Sequence, residues 1–516
     1  MSDPGQLQVR GGAGGVSAQL EDLERAGELL RIAAGGLAEH GRTVAAMSID
    51  PRLQLTAALS PMTFARAEAA LAAAAFGPGG LFALATRTEL LGTGALTVAK
   101  GYRTADAAAA GLLRAVATLT GQAIGLSLGV PTQGLGARAV VTILELSGAV
   151  RDTDAPESSD GSARTRPGSS RLPEPLRRIG GLTLRLLADH ARLTEAVIPA
   201  VPGVLGGLSI TVPGGPLLTA RVFGHPVAPT TVAEVGTGLG VIGGLVPGGT
   251  GGPPWFRESG QIQTRMTPAP WHRPPSGTAE LLGRIPEAPP GRPRIHLERI
   301  DGTAGRRWVV SVPGTADWSS IAGRTPLDLT GNIRLMAGER SAGMAGVVQA
   351  MRTIGVRKGE PVLLVGHSQG GLIAAALAAD PKVRREFTVS HVLTSGAPVA
   401  SIPVPAEVQV LSIEHSDDMV PRLDGSANHD RPNWITVTAP APTAGLPAVE
   451  RTEPLLAHRA QLYQSTAERV DRSTDPSILV WRAGLAPFLD GAPGFAAGNP
   501  GSGAGWDVEI SRVGTS

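Results

Sequence analysis

Apolar positions recur at helical spacing through the first part of the chain. Leu20, Leu23, Ala26, Leu29, Leu30 and Ala33 fall on one face of a helix expected over 17–48, with Ser17 placed to cap its start. A second helix is expected over "MTFARAEAALAAAAF", ending at Gly77-Pro78-Gly79-Gly80, and a third from near Leu81 to about Gly125. Helices joined by short turns pack as a bundle, so 1–150 reads as a helical domain. Residues 151–175 are Ser, Asp, Arg and Pro with no apolar face, which predicts a disordered linker. Helical spacing returns over "PLRRIGGLTLRLLADHARLTEAVI" and breaks into Gly/Pro-rich sequence, giving a connecting region at 176–255 and a Pro-rich connector at 256–293.

From about Arg294 the period changes. "RIHLERI" alternates as a strand does, and "RRWVVSVPGT" is an apolar run ending in a turn. "SAGMAGVVQAMRTIGV" is helical. "PVLLVGHSQGGLIAAALAAD" reads as buried strand, glycine turn and alanine-rich helix. "TVSHVLTSGAP", "AEVQVLSIEH" and "NWITVTA" are further strands, and "PLLAHRAQLYQSTAERV" is a helix. Strands alternating with helices predict an α/β domain over 294–490, a mostly parallel sheet flanked by helices on both faces. In such sheets functional groups collect at the carboxyl ends of strands. A Gly-rich tail, 491–516, contains one strand-like piece, "WDVEISRV".

Composition narrows the classes. With 516 residues the chain exceeds one ordinary core, and 42% hydrophobic content suits a globular protein. Charged residues make up only 17%, the net charge is +2, and all but three of the 46 basic residues are arginine. No dense basic stripe suggests nucleic acid. Zero cysteines exclude disulfides, thiolate metal sites and a cysteine nucleophile. The start "MSDPGQLQVRGGAGG" lacks the regions of a classical signal peptide, and "AAAAGLLRAVATLTGQAIGLSLGV" carries Arg114, which favours a packed helix over a membrane span. The expected location is cytoplasmic, or exported without such a peptide. Tyr102 and Asp106 form a YxxxD after the helical hairpin. That pattern resembles the export signal of small helical proteins secreted by type VII systems, and implies contact with secretion machinery or a membrane surface through the N-terminal region.

The candidate chemistry lies in Gly366-His367-Ser368-Gln369-Gly370. A G-x-S-x-G between a strand and a helix lifts the serine hydroxyl above the sheet edge. Gly366 and Gly370 remove side chains where the turn is tight. The N–H of Gln369, at the helix start, is suited to a developing oxyanion. A serine needs a base to take its proton and a carboxylate to orient that base, in the chain order Ser, acid, His. His391 and His415 come too early, His458 opens the last helix, and His429 is second choice. Asp418 and Asp417 end a strand and are the acid candidates, whereas Asp424 and Asp430 read as surface-loop residues. "VPGTADW" offers a second oxyanion donor at Thr315, with Gly314 allowing close backbone approach and Trp318 as packing. These residues need neither metal nor organic cofactor.

"VPGTADW", "GHSQGG", "VLTSGAPVA", "DDMVPRL" and "AHRAQLY" together resemble the lipase/esterase branch of the α/β-hydrolase superfamily, especially class 3 (fungal-type) lipases and their actinobacterial relatives. The resemblance implies Asp418 rather than Asp417 as the acid, His458 as the base, and Thr315 with Gln369 as the oxyanion pair. "LDLTGN" (327–332) also matches, without a role. The implied activity is hydrolysis of a small-molecule or lipid carboxylic ester through an acyl-enzyme. Acyl transfer or thioester cleavage by the same residues is one alternative. A secreted interaction protein with a vestigial hydrolase domain is the other.

Overall fold

The computed structural model describes residues 7–129, 258–271, 273–287, 292–302, 305–319, 322–447, 453, 455–489 and 503–514, with only the backbone for 106–129. The linker of 151–175 and the region of 176–255 lie outside them. The chain divides into two units, Gly15–Leu113 and the remainder.

The helical unit contains α1 (Val16–Met47), α2 (Pro51–Leu59), α3 (Pro61–Phe76) and the start of α4 (Leu81–Gly129). Gly15, not Ser17, is the N-cap of α1. Asp50 caps α2 by accepting from Arg52 N–H at 2.8 Å, and a proline follows at the first helical position. The expected turn falls at Gly77–Gly80, and Phe76 stacks on Phe82 across it at 5.1 Å. The buried line of α1 differs from the leucine stripe: Leu29 is 60% exposed, while Ala34 is buried. The reason lies in Gly27 and Gly92. A Cβ on Gly27 would stand 3.0 Å from Gly92 O, and one on Gly92 2.7 Å from Gly27 O, so α1 and α4 cross where side chains are missing. Arg31–Glu89 (3.0 Å) and Arg103–Glu24 (2.8 Å) flank that crossing. Among the described residues one stretch, Pro61–Ala105, is long and apolar enough to cross a membrane, and the glycine turn interrupts it.

The second unit is built on a nine-stranded sheet. Its strands are β1 (Gln8–Gly11), β2 (Gln261–Ala269), β3 (Arg294–Gly302), β4 (Gly305–Val312), β5 (Pro361–His367), β6 (Thr388–Ser395), β7 (Gln409–His415), β8 (Trp434–Ala439) and β9 (Gly503–Val513). They run in the order β1-β8-β7-β6-β5-β4-β3-β9-β2. The five central strands, β4 to β8, are parallel, and every outer pairing is antiparallel. Helices cover both faces: α5 (Thr278–Gly283), α10 (Ala460–Asp471) and α11 (Pro476–Leu485) on one, and α6 (Leu329–Met336), α7 (Ala342–Ile354), α8 (Gln369–Ala379) and α9 (Pro381–Glu386) on the other. β5 shows why. Val362 and Leu364 enter the core under α7 and α8, while Leu363 and Val365 meet Tyr463 and Trp481 on the opposite face, all four strand residues being fully buried. A strand buried on both sides reads as a continuous apolar run, as this one does.

The sheet reaches beyond 294–490. Gln8–Gly11 pairs with β8 although it precedes the helical unit, and the expected connector supplies β2 and α5. The strand-like piece of the tail is β9, which runs between β3 and β2. Gly346 of α7 makes room for it, since a Cβ there would lie 2.3 Å from Ile510 Cγ2.

β9 also delivers Arg512, which is 2% exposed. Its Nη1 donates to Asp328 Oδ2 at 2.6 Å and to the carbonyls of Thr325 and Gly323, and its Nη2 donates to Glu258 Oε1 at 2.9 Å. Asp328 is fully buried and caps α6 by accepting from Gly331 N–H at 2.8 Å. Removing one partner of such a pair strands the other's charge, at a cost of about 3–5 kcal/mol. Arg512→Met is therefore expected to lower the unfolding free energy by about that amount in urea titration, and adding Asp328→Asn to recover part of it.

Candidate active site

The carboxyl ends of β4, β5, β6 and β7 carry the candidate residues. β5 runs straight into α8, and Ser368 at the junction adopts φ 54°, ψ −122°. It is the one non-glycine residue with positive φ among the described residues. Such a conformation costs about 1–3 kcal/mol and persists only where its surroundings impose it. Here the surroundings are close backbones. A Cβ on Gly366 would fall 2.2 Å from Gly370 O, and one on Gly370 2.0 Å from Val312 O. Ser368 N–H donates to Ser395 O of β6 at 2.9 Å, which fixes the turn from the other side. Ser368 is 6% exposed.

Gln369 opens α8, so its N–H lies in the first turn, where no helical carbonyl is available to it. Its side chain is locked: Nε2 donates to Asp328 O at 2.7 Å. Gly314, after β4, comes so near that an added Cβ would lie 3.1 Å from Ser368 Cβ. Thr315 Oγ1 accepts from Asn332 Nδ2 at 2.9 Å, which leaves the hydroxyl proton pointing elsewhere. Ala316 N–H and Asp317 N–H donate to Leu327 O, and Leu329 N–H to Asp317 O. "LDLTGN", which the sequence left without a role, is thus the brace of the "VPGTADW" loop. Asn332 holds Thr315, Asp328 O holds Gln369, and the Asp328 carboxylate is tied to β9.

Asp418 follows β7 and is 2% exposed. Its Oδ2 lies 2.7 Å from His458 Nδ1, and its Oδ1 accepts from Val420 N–H at 2.9 Å. Burial would raise the Asp418 carboxyl. The neighbouring His458 and the donors on both oxygens hold it below its ordinary value instead. A carboxylate only accepts, so His458 Nδ1 carries a proton and Nε2 is left as the basic atom. His458 sits at the end of a short 3₁₀ turn, Leu456–His458, just before α10. Gly396, at φ 59°, admits the ring: a Cβ there would stand 3.1 Å from His458 Nδ1 and 2.9 Å from Tyr463 Cε2. His367, next to Ser368, brings its ring to 4.7 Å from that of His458. Burial, with the charge of His458, pushes His367 down to about 3, so it is a neutral neighbour.

The competing residues are engaged elsewhere. Asp417 turns away and accepts from Ala441 N–H at 2.9 Å. Asp424 differs from the surface position expected, being buried and accepting from Ala400 N–H at 2.8 Å. Asp430 pairs with Arg10 of β1 at 3.8 Å. His429 packs edge-on against Trp434. Tyr102 is 64% exposed on α4, and the side chain of Asp106 lies outside the described residues. Three residues escaped the sequence reading. Tyr463 stands inside "AHRAQLY" without a signal of its own, His415 precedes the acid, and Gly396 carries no signal beyond "SGAP".

His391 packs against Trp481 and Phe488, and burial pushes it down to about 4. The unfolded chain protonates an exposed imidazole near pH 6.5, so between about 4 and 6.5 it binds a proton that the folded chain refuses. Stability must fall as pH falls through that window, by about 1.4 kcal/mol per pH unit for each such histidine. Urea titrations at pH 4.5, 5.5 and 6.5 are expected to show that slope, and His391→Gln to reduce it.

A family model described as a PGAP1-like alpha/beta domain matches residues 347–439, a span that runs from α7 through β8 and includes Ser368 and Asp418. The fold is that of an α/β hydrolase. At that level the likeness read from the motifs holds, and the family matched is the PGAP1-like one. A search of curated proteins finds no match. A search of solved structures finds none either.

Proposed function

We propose that this α/β hydrolase is a serine hydrolase of carboxylic esters, as class 3 lipases are. The observation that carries the reading is the 2.7 Å contact of His458 Nδ1 with buried Asp418 beside the strained turn of Ser368. Ser368 Oγ attacks the ester carbonyl while His458 Nε2 takes its proton. The proton then passes to the departing alkoxide, leaving an acyl-enzyme on Ser368. Water activated by the same nitrogen releases the acid. Asp418 keeps the Nδ1–H tautomer and offsets the imidazolium charge, while the Gln369 N–H and Thr315 receive the oxyanion. The test is incubation with a fluorophosphonate probe and with p-nitrophenyl esters, with and without an added alcohol. Labelling and ester cleavage support the reading. Acyl products formed with the alcohol in preference to water would assign acyl transfer, and no labelling would overturn both.

A further inference from the structure

Asp418 Oδ2 serves two donors. His458 Nδ1 lies at 2.7 Å and Tyr463 Oη, also at 2.7 Å, donates to the same oxygen. Tyr463 is itself held in place. It is fully buried, and its Oη accepts from His415 N–H at 3.1 Å. Its ring stacks on the His415 ring at 3.8 Å with 13° between the planes. His415 then reaches the segment that carries His458, with Nδ1 2.6 Å from Ala457 O and Nε2 2.8 Å from Thr466 Oγ1. A carbonyl only accepts, so Nδ1 carries the proton and Nε2 accepts from the Thr466 hydroxyl. Both ring nitrogens are satisfied in the neutral state, which burial favours. Packing alone does not call for this wiring. Phenylalanine at 463 would fill the same volume without placing a donor on the acid.

We propose that Tyr463 and His415 are positioning residues for the hydrolysis. Tyr463 draws negative charge from the Asp418 oxygen that holds His458, and His415 ties Ala457, and so the His458 turn, to the end of β7. The inference rests on His458 acting as the base. Without the tyrosine hydroxyl, the whole charge of Oδ2 falls on His458, which tightens the Nδ1–H···Oδ2 bond and favours the imidazolium. The base then stays protonated to higher pH. The titratable groups facing His458 are Asp418 from the β7 end, Tyr463 from α10 and His367 from β5. His415 and Glu414 stand behind them on β7, with Asp417 just past its end.

Tyr463→Phe in the full chain tests this. The acidic limb of the kcat/KM profile is expected to move up by about 0.5–1 pH unit, with kcat lowered several-fold. His415→Asn, which keeps an amide donor for Ala457 O, should stay near wild type, whereas His415→Leu should lose activity. A residue that only packs would lower thermal stability and leave the limb where it was. An unmoved limb in folded Tyr463→Phe overturns the proposal. The low-field proton signal of His458 Nδ1–H, identified by its loss in His458→Ala, gives a readout independent of turnover. It should move further downfield in Tyr463→Phe, and an unchanged position also overturns the inference. A downfield move in a protein that cleaves no ester would overturn the proposed function alone.

Discussion

Ser368→Ala is expected to lose all fluorophosphonate labelling and to cut ester hydrolysis by about 10⁴–10⁶-fold, because the remaining groups have no nucleophile to assist. The fold should survive, since the hydroxyl lends nothing to the hydrogen bonds that hold the turn; those use the Ser368 N–H and C=O. Ser368→Gly should lose as much activity and yet resist urea better, by about 1–3 kcal/mol, because glycine adopts φ 54°, ψ −122° without strain. The pair separates two explanations of a dead variant. Lost activity with raised stability marks a residue strained for its chemistry, while residual labelling in Ser368→Ala would place the nucleophile elsewhere.

Asp418→Asn comes next in size, with kcat expected to fall about 10⁴-fold. The direction follows from the donors. Val420 N–H needs an acceptor at the first δ position, so the asparagine oxygen goes there and its NH₂ faces His458 and Tyr463. His458 must then accept through Nδ1, which moves its proton to Nε2 and removes the base from the side where it is needed. Asp417→Asn is the control. Its carboxylate accepts from Ala441 N–H, so near-normal activity is expected. Equal losses in the two variants would overturn the assignment of the acid.

The elements that could be read from the sequence are those whose physics is local. "PVLLVGHSQGGLIAAALAAD" must be strand, turn and helix because apolar runs and glycines follow one another within a few residues. Chain order at the strand ends narrows the acid to Asp417 or Asp418 and favours His458 over His429, and only the motif resemblance points to Asp418. The brace was not legible. Asn332 reaches Thr315, and Asp328 meets Arg512 from 184 residues further along the chain, and nothing local to "LDLTGN" or "WDVEISRV" announces either contact. His415 precedes the acid and so fails as a base, but its neutral ring with both nitrogens bonded is a structural member that no rule about bases would find. In α1 the leucines suggested one face, but a helix crossing follows the missing side chains of Gly27 and Gly92 rather than the largest ones.

The place of β9 sets an order in time. As the chain is synthesised, Ser368, Asp418 and His458 all emerge before the strand that joins β3 to β2. Until it arrives, β3 has an unpaired edge open to other chains, and the Asp328 carboxylate waits without Arg512. Pairing so distant in sequence is slow to form. The Thr315 loop and Gln369 are both fastened to the 327–332 segment, whose Asp328 takes its arginine from that strand. A nascent chain in which Ser368, Asp418 and His458 are already translated therefore still has an open sheet edge and a carboxylate without its arginine, and a single late strand closes both.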